Sequence, residues 1–189
     1  MRTKLIHGVG INDADYSVNK IVNGKAVICP YYQRWCSALT RCYSEKYHKQ
    51  QPTYIDCTMC DEWLLFSNFK SWMEKQDWQG KELDKDILIQ GNKIYKPEAC
   101  IFVDKYINTL LSVKKSNSGD LPLGVGIHKG TSKFKSEYSI KGKSKKLGVF
   151  DTQDEAHDAY KEAKYKLIAE AASNQVEPLR SALLNYKIN

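Results

Sequence analysis

No stretch of this 189-residue chain approaches the ~18 consecutive apolar residues that a membrane-spanning helix needs. A transmembrane protein is therefore not expected. The first eight residues, Met1-Arg2-Thr3-Lys4-Leu5-Ile6-His7-Gly8, lack the apolar core of a secretory leader. The reading that follows is a soluble, cytoplasmic protein without disulfides. There is no internal repeat and no low-complexity segment, so solenoids and fibrous arrays are not expected either. The four histidines, His7, His48, His128 and His157, form no recognisable ligand pair. What is present suffices for a core: 42% of residues are hydrophobic and 11% aromatic, which argues against wholesale disorder. The length suits one or two small domains.

The net charge is +7. As a total it suggests only a polyanionic partner. Its distribution says more. Residues 1–112 carry 15 Lys+Arg against 13 Asp+Glu, and residues 151–189 carry 5 against 7. Residues 113–150 carry 9 against 2, so the whole excess lies there. A solvated Lys-rich loop is the plain alternative, but the stretch has strand periodicity, which loops lack.

Three short strands are predicted, over 123–129, 133–140 and 145–150, separated by Gly130-Thr131-Ser132 and Lys141-Gly142-Lys143. In the middle one Phe134, Tyr138 and Ile140 alternate with Lys133, Lys135, Glu137 and Ser139. Val125, Ile127 and Leu147 can join the apolar face. Thr152-Gln153-Asp154-Glu155 then reads as a capping box. Ala156, Tyr160, Ala163 and Leu167 follow at helical spacing, so a helix is expected across the apolar face. The other face is left to lysines. Such a sheet fits the major groove of double-stranded DNA, with lysines supplying mainly phosphate contacts. The expected DNA-contacting residues are Lys129, Lys133, Lys135, Lys143, Lys145 and Lys146.

Leu123-Gly124-Val125, Lys133-Phe134-Lys135, Leu147-Gly148-Val149-Phe150-Asp151-Thr152, Glu155-Ala156 and Ala159-Tyr160 carry a resemblance. Over about 50 residues the segment resembles the APETALA-two/ethylene-response-factor DNA-binding domain. The resemblance implies a three-stranded sheet on one helix that reads DNA with the sheet. Family members often carry Arg and Trp on those strands, where this chain has mostly Lys. Lysine gives fewer bidentate base contacts.

Residues 113–122 are polar, with Gly and Pro, and read as a linker. The module then covers 123–172, and 173–189 form a tail with a short helix over 177–186. Ahead of the linker, two strands flank Asn23-Gly24, the strongest two-residue hairpin signal. Helices are expected over 31–43 and 61–76. Trp63, Phe66, Phe69 and Met73 of the second share a stripe and read as core. Further on, a strand over 83–89, a turn at Gln90-Gly91-Asn92-Lys93, an extended loop over 94–99 and a strand over 100–103 lead to a helix. Asp104 is its expected N-cap. Strand, loop, strand and helix in that order outline a ββα-metal motif.

Trp35, Arg41-Cys42-Tyr43, Tyr54, Cys57-Thr58-Met59-Cys60-Asp61-Glu62-Trp63, Phe66, Phe69, Leu83-Asp84-Lys85-Asp86, Gly91-Asn92-Lys93, Tyr95, Pro97-Glu98-Ala99-Cys100 and Ile107-Asn108 carry the second resemblance. Residues 1–112 resemble the HNH-type homing endonucleases of phages and prophages, in which such a region precedes a sheet-type DNA-binding module. The resemblance implies metal-dependent cleavage or nicking of double-stranded DNA in the cytoplasm of a bacterial host. It places a divalent cation, Mg or Mn, on Asp84 and Asn108, with Asp86 assisting. Such a cation stabilises the leaving oxygen and the phosphate charge. Where active members carry a His base, this chain has Lys85, ordinarily protonated at neutral pH. Three readings stay open. Burial or neighbouring cations lower the Lys85 pKa. Another residue, His48 or Asp86, acts instead. Or the scaffold binds DNA without cutting it, as a regulator or counter-defence factor.

Cys57-x-x-Cys60 has the spacing of a zinc knuckle. Cys42 and Cys100 are the candidates to complete a structural Zn site, and zinc-stapled members of the class exist. The alternative is that Cys29, Cys36, Cys42 and Cys100 are plain small apolar side chains. The fold class expected is α+β: a helical N-terminal region with a ββα-metal motif, then a three-stranded antiparallel sheet on one helix.

Overall fold

A computed structural model describes residues 5–112, 120–140 and 142–188. Most of the expected linker, residues 113–119, lies outside the described residues. The chain is mixed α+β and divides into two compact units, Met1–Val103 and Asp104–Asn189.

The first unit begins with a hairpin of β1 (Asn19–Val22) and β2 (Lys25–Ile28). Asn23 and Gly24 both have positive φ, 51° and 73°, as a tight two-residue turn demands. Helix α1 (Pro30–Tyr43) starts on a proline, which lacks the N–H that the first turn cannot use. It buries Trp35, Ala38, Leu39 and Cys42, one face at helical spacing. Ser44 separates it from α2 (Glu45–Gln50), and its hydroxyl accepts the Tyr47 N–H at 3.3 Å.

After β3 (Thr58–Met59) the sequence predicts one helix over 61–76. The structure breaks it into a 3₁₀ turn, Asp61–Leu64, and α3 (Phe66–Met73). The cause is a distant strand-like contact. Ile11 donates its N–H to the Leu64 carbonyl at 2.8 Å and accepts the Phe66 N–H at 3.0 Å. Those groups are then unavailable to a continuous helix. Asp13 caps the start of α3, accepting the Ser67 N–H at 2.8 Å and its hydroxyl at 2.5 Å.

Strand β4 (Glu82–Asp84), β5 (Ile94–Tyr95) and β6 (Ile101–Val103) complete the unit. β4 pairs antiparallel with β6, and β5 pairs parallel with β3. The β3–β5 pair was not foreseen, because 94–99 reads as loop. The core gathers Trp35, Leu39, Trp63, Phe66, Phe69, Met73 and Phe102. The expected stripe is therefore core. Each such side chain contributes about 1.5–3 kcal/mol on burial. The Trp35 indole N–H finds the Trp63 carbonyl at 2.7 Å, so that ring is buried without an unpaired donor.

The second unit opens with α4 (Lys105–Leu111). Asp104 stands at its N-cap position but makes no side-chain cap bond, unlike the expectation. At the other end Lys164 Nζ donates to the Leu110 carbonyl, and Tyr186 Oη donates to Leu111 at 3.3 Å. These satisfy carbonyls that a helix end leaves open. Strands β7 (Val125–Ile127), β8 (Phe134–Ile140) and β9 (Lys143–Phe150) form an antiparallel sheet in the order β7-β8-β9.

Helix α5 (Gln153–Ser173) packs against all three strands. Its capping box is complete: Thr152 Oγ1 accepts the Glu155 N–H and Glu155 Oε2 accepts the Thr152 N–H, each at 3.2 Å. Gly124 allows close approach to this helix. Its φ is +76°, and a β-carbon there would sit 2.0 Å from the Tyr160 ring. Helix α6 (Leu179–Leu184), shorter than the 177–186 expected, buries Leu179 and Leu183 and packs on α5. Among the described residues no helix is long and apolar enough to cross a membrane.

Candidate functional site

In the first unit the chemistry gathers at the end of β4. The sequence predicts a strand through residue 89, but β4 stops at Asp84. The reason is local: Asp84 Oδ1 accepts the N–H groups of Asp86 and Ile87, each at 2.8 Å, which turns the chain. Burial and then the neighbouring Asp86 charge push the Asp84 carboxyl up to about 6.

Lys85 is 7% exposed. Its ammonium donates to Asp86 Oδ2 and to the Asn92 carbonyl, each at 3.1 Å. Burial opposes its charge, but Asp86, with Cys57 and Asp84, outweighs burial and holds the pKa above the usual lysine value. This direction runs against the reading that burial or neighbouring cations lower the Lys85 pKa. Asn92 returns the contact, its side-chain amide donating to the carbonyls of Lys85 at 2.6 Å and Ile94 at 2.7 Å.

A second cation stands beside the first. Arg41 of α1 donates to the Leu83 carbonyl and to Tyr95 Oη, each at 3.4 Å. Its guanidinium lies 5.8 Å from the Tyr54 ring centroid, and Lys85 Nζ lies 5.7 Å from the same centroid. Two cations thus share one ring face system at cation–π range. His48, the alternative base, bonds the Arg41 carbonyl through Nε2 at 2.8 Å. A carbonyl only accepts, so Nε2 carries the proton and neutral His48 keeps its lone pair on Nδ1. Arg41, Tyr54, Tyr95 and Asn92 were landmarks in the sequence but were not assigned to the site. No periodicity or spacing marks them; only their contacts do. Asn108 lies on α4, in the second unit.

All six cysteines are free thiols. Cys42, Cys57 and Cys100 are buried and Cys60 half-buried. Burial and then Cys57 push Cys42 up to about 12, and burial raises Cys100 to about 12, with Cys60 among its neighbours. Among the described residues no group of three or more His, Cys, Asp or Glu side chains is arranged to hold a metal ion.

In the second unit the sheet has two distinct faces. Lys135 pairs with Val149 and Glu137 with Lys146, so these four share the face away from Ser136 and Tyr138. Lys135 Nζ lies 2.7 Å from Glu137 Oε1, and Ser144 Oγ donates to Glu137 Oε2 at 3.1 Å. The Lys135 bond comes first among the causes that hold the Glu137 carboxyl below its usual range. Lys133 Nζ pairs with Asp151 at 2.8 Å, both exposed. His128, Lys129, Lys135, Glu137, Lys146 and Val149 border a groove of about 390 Å³.

Lys143 and Lys145 differ from the expectation. The register shifts between Ser136 and Glu137, where β9 carries an extra residue. Beyond it Lys145 pairs with Tyr138 and Lys143 with Ile140, on the opposite face. Lys145 Nζ sits 5.9 Å from the Tyr138 ring centroid. The outward strands therefore carry Lys135 and Lys146, with Lys129 and Lys133 at their ends. The chain matches no family model, no curated protein sequence and no solved structure.

Proposed function

We propose that this chain is a double-stranded-DNA-binding protein of the phage HNH homing-endonuclease type, acting in the host cytoplasm. Its C-terminal sheet holds the duplex and its N-terminal unit makes a metal-dependent phosphodiester cut or nick. The observation that carries the DNA reading is the outward sheet face, where Lys129, Lys133, Lys135 and Lys146 stand on or beside a three-stranded sheet backed by α5. Lysines so placed meet phosphates across a groove wide enough for strands.

For cleavage, Asp84 and Asp86 supply hard carboxylate oxygens at the turn that ends β4, the donor type that Mg or Mn takes. When bound, the cation supplies charge stabilisation at the leaving oxygen and the phosphate. Lys85 then serves as a fixed positive charge beside Asp86 rather than as the base. A structural zinc on Cys42, Cys57, Cys60 and Cys100 stays part of the proposal. Metal analysis of the purified protein tests it: one zinc per chain supports it and none overturns it.

The charged state of Lys85 favours one second reading, a non-cleaving DNA-binding protein on the same scaffold. A plasmid-nicking assay with Mg or Mn separates the two. Nicking that disappears in Asp84→Asn supports the enzyme. Duplex binding without nicking by the wild type supports the binder. Duplex affinity that is unchanged, with an unchanged salt slope, in Lys135→Ala/Lys146→Ala overturns the sheet-face assignment.

A further inference from the structure

The β1–β2 hairpin has no part in either site, yet it is the most exposed apolar feature of the first unit. All eight strand residues are exposed. Ile21 reaches 80%, far above what an isolated core-forming strand would show. The base is fixed: Val18 is buried, and the Cys29 N–H donates to the Val18 carbonyl at 2.8 Å. From there two strands project with neither face covered. A two-stranded ribbon gains little stability by itself in water, so its retention calls for a partner.

The register sorts its side chains. Lys20 pairs with Val27 and Val22 with Lys25, which puts both lysines on one face. Asn19, Ile21, Ala26 and Ile28 form the other. Residues 17–30 contain no acid. Among the described residues neither Lys20 nor Lys25 has an ion-pair partner, whereas Lys133 and Lys135 of the sheet are both paired. Among the described residues Lys20 and Lys25 therefore break no ion pair to meet an anion.

We propose that this hairpin is a second DNA-contacting element that lies in the major groove, and the proposal rests on the DNA-binding reading above. Four residues per strand span about 13 Å, enough to cross a groove about 8.5 Å deep and 12 Å wide. Lys20 and Lys25 reach phosphates, while Ile21 and Ile28 meet base edges, where thymine methyl groups offer apolar contact. A second copy of the chain fits less well. The three apolar side chains of the Ile21 face cannot supply the roughly 800 Å² per partner of a stable interface.

The test is duplex binding by full-length protein across a salt series, wild type beside Lys20→Ala/Lys25→Ala and Lys135→Ala/Lys146→Ala. Both hairpin lysines are exposed, so circular dichroism and melting should be unchanged in the first variant. Its expected slope of log affinity against log salt is shallower by about 1.8, the loss of two phosphate contacts. An unchanged affinity and slope in the hairpin variant, with loss in the sheet variant, overturns the hairpin assignment and leaves the DNA reading standing. A wild type that binds no duplex overturns both.

Discussion

Lys85 and Asn92 hold each other by two reciprocal bonds: the Lys85 ammonium donates to the Asn92 carbonyl at 3.1 Å, and the Asn92 side-chain amide donates to the Lys85 carbonyl at 2.6 Å. The pair closes the loop between β4 and β5. It also explains why a lysine is buried where the HNH resemblance would place a histidine: its charge is used to fix the loop and to hold Asp86. We predict that Asn92→Ala destabilises the protein by about 1–3 kcal/mol, because it strips donors from two carbonyls at once. Urea unfolding should show a lower midpoint with an unchanged m-value. An unchanged midpoint would remove the loop-fixing role.

Asp84 has two separable duties. Its Oδ1 ends β4 by accepting two N–H groups, and its charge is the proposed cation ligand. Asp84→Asn keeps an acceptor oxygen, so its fold should be close to wild type in stability while Mg- or Mn-dependent nicking is lost. Asp84→Ala removes the acceptor and leaves two N–H groups unpaired, so unfolding should come earlier by about 1–3 kcal/mol as well. Equal stability of the two variants would contradict the turn-forming role.

Gly124 tests the packing of the second unit. Its backbone lies in the left-handed region, and a β-carbon would meet the Tyr160 ring, which is itself held between sheet and helix. Gly124→Ala therefore combines backbone strain with overpacking, a loss of about 2–4 kcal/mol. Thermal melting followed by duplex binding should show a weakened C-terminal unit; a melting temperature equal to wild type would refute the close contact.

Where sequence patterns are set by neighbours in the chain, they were legible. Asn23-Gly24, the Thr152/Glu155 box and the Phe66-Phe69-Met73 stripe each act over a few residues. What failed was set at a distance. The helix over 61–76 breaks because Ile11 takes two of its backbone partners. The parallel β3–β5 pair joins segments too short to show alternation. Lys143 and Lys145 change faces because one extra residue in β9 shifts the register, and alternation within a strand cannot locate such a bulge. The Arg41–Tyr54–Lys85 arrangement was hidden for the same reason, since its members come from three separate elements.

Asp13 offers a pH test. Partial burial raises its pKa, but the Ser67 hydroxyl and N–H bonds prevail and hold it below 3.8. The unfolded chain then binds the proton more tightly, so this contribution is present above pH 3.8 and fades as pH falls through the folded value. Asp13 is exposed, so solvent screening limits the effect. Asp13→Ala should cost about 1 kcal/mol at neutral pH through the lost cap of α3. The cost should shrink in acid below the normal carboxylate range. A cost that stays constant below that range as well would show that the carboxylate charge is not what stabilises the helix start.

Glu137 is the one acid among the outward lysines of β8 and β9, bonded to Lys135 and placed opposite Lys146. A negative charge there opposes a phosphate, and it also holds the Lys135 ammonium across the strand. Glu137→Gln removes the charge and keeps most of the shape. If the outward face meets DNA, this variant should bind duplex several-fold more tightly at low salt, because a repulsion is lost and Lys135 is released. The salt dependence should become steeper by about 0.9 if Lys135 gains one phosphate contact. Glu137→Lys should exaggerate both changes. Weaker binding in Glu137→Gln would mean that the carboxylate positions Lys135 for its contact, and no change in either variant would move the DNA-binding surface away from this face.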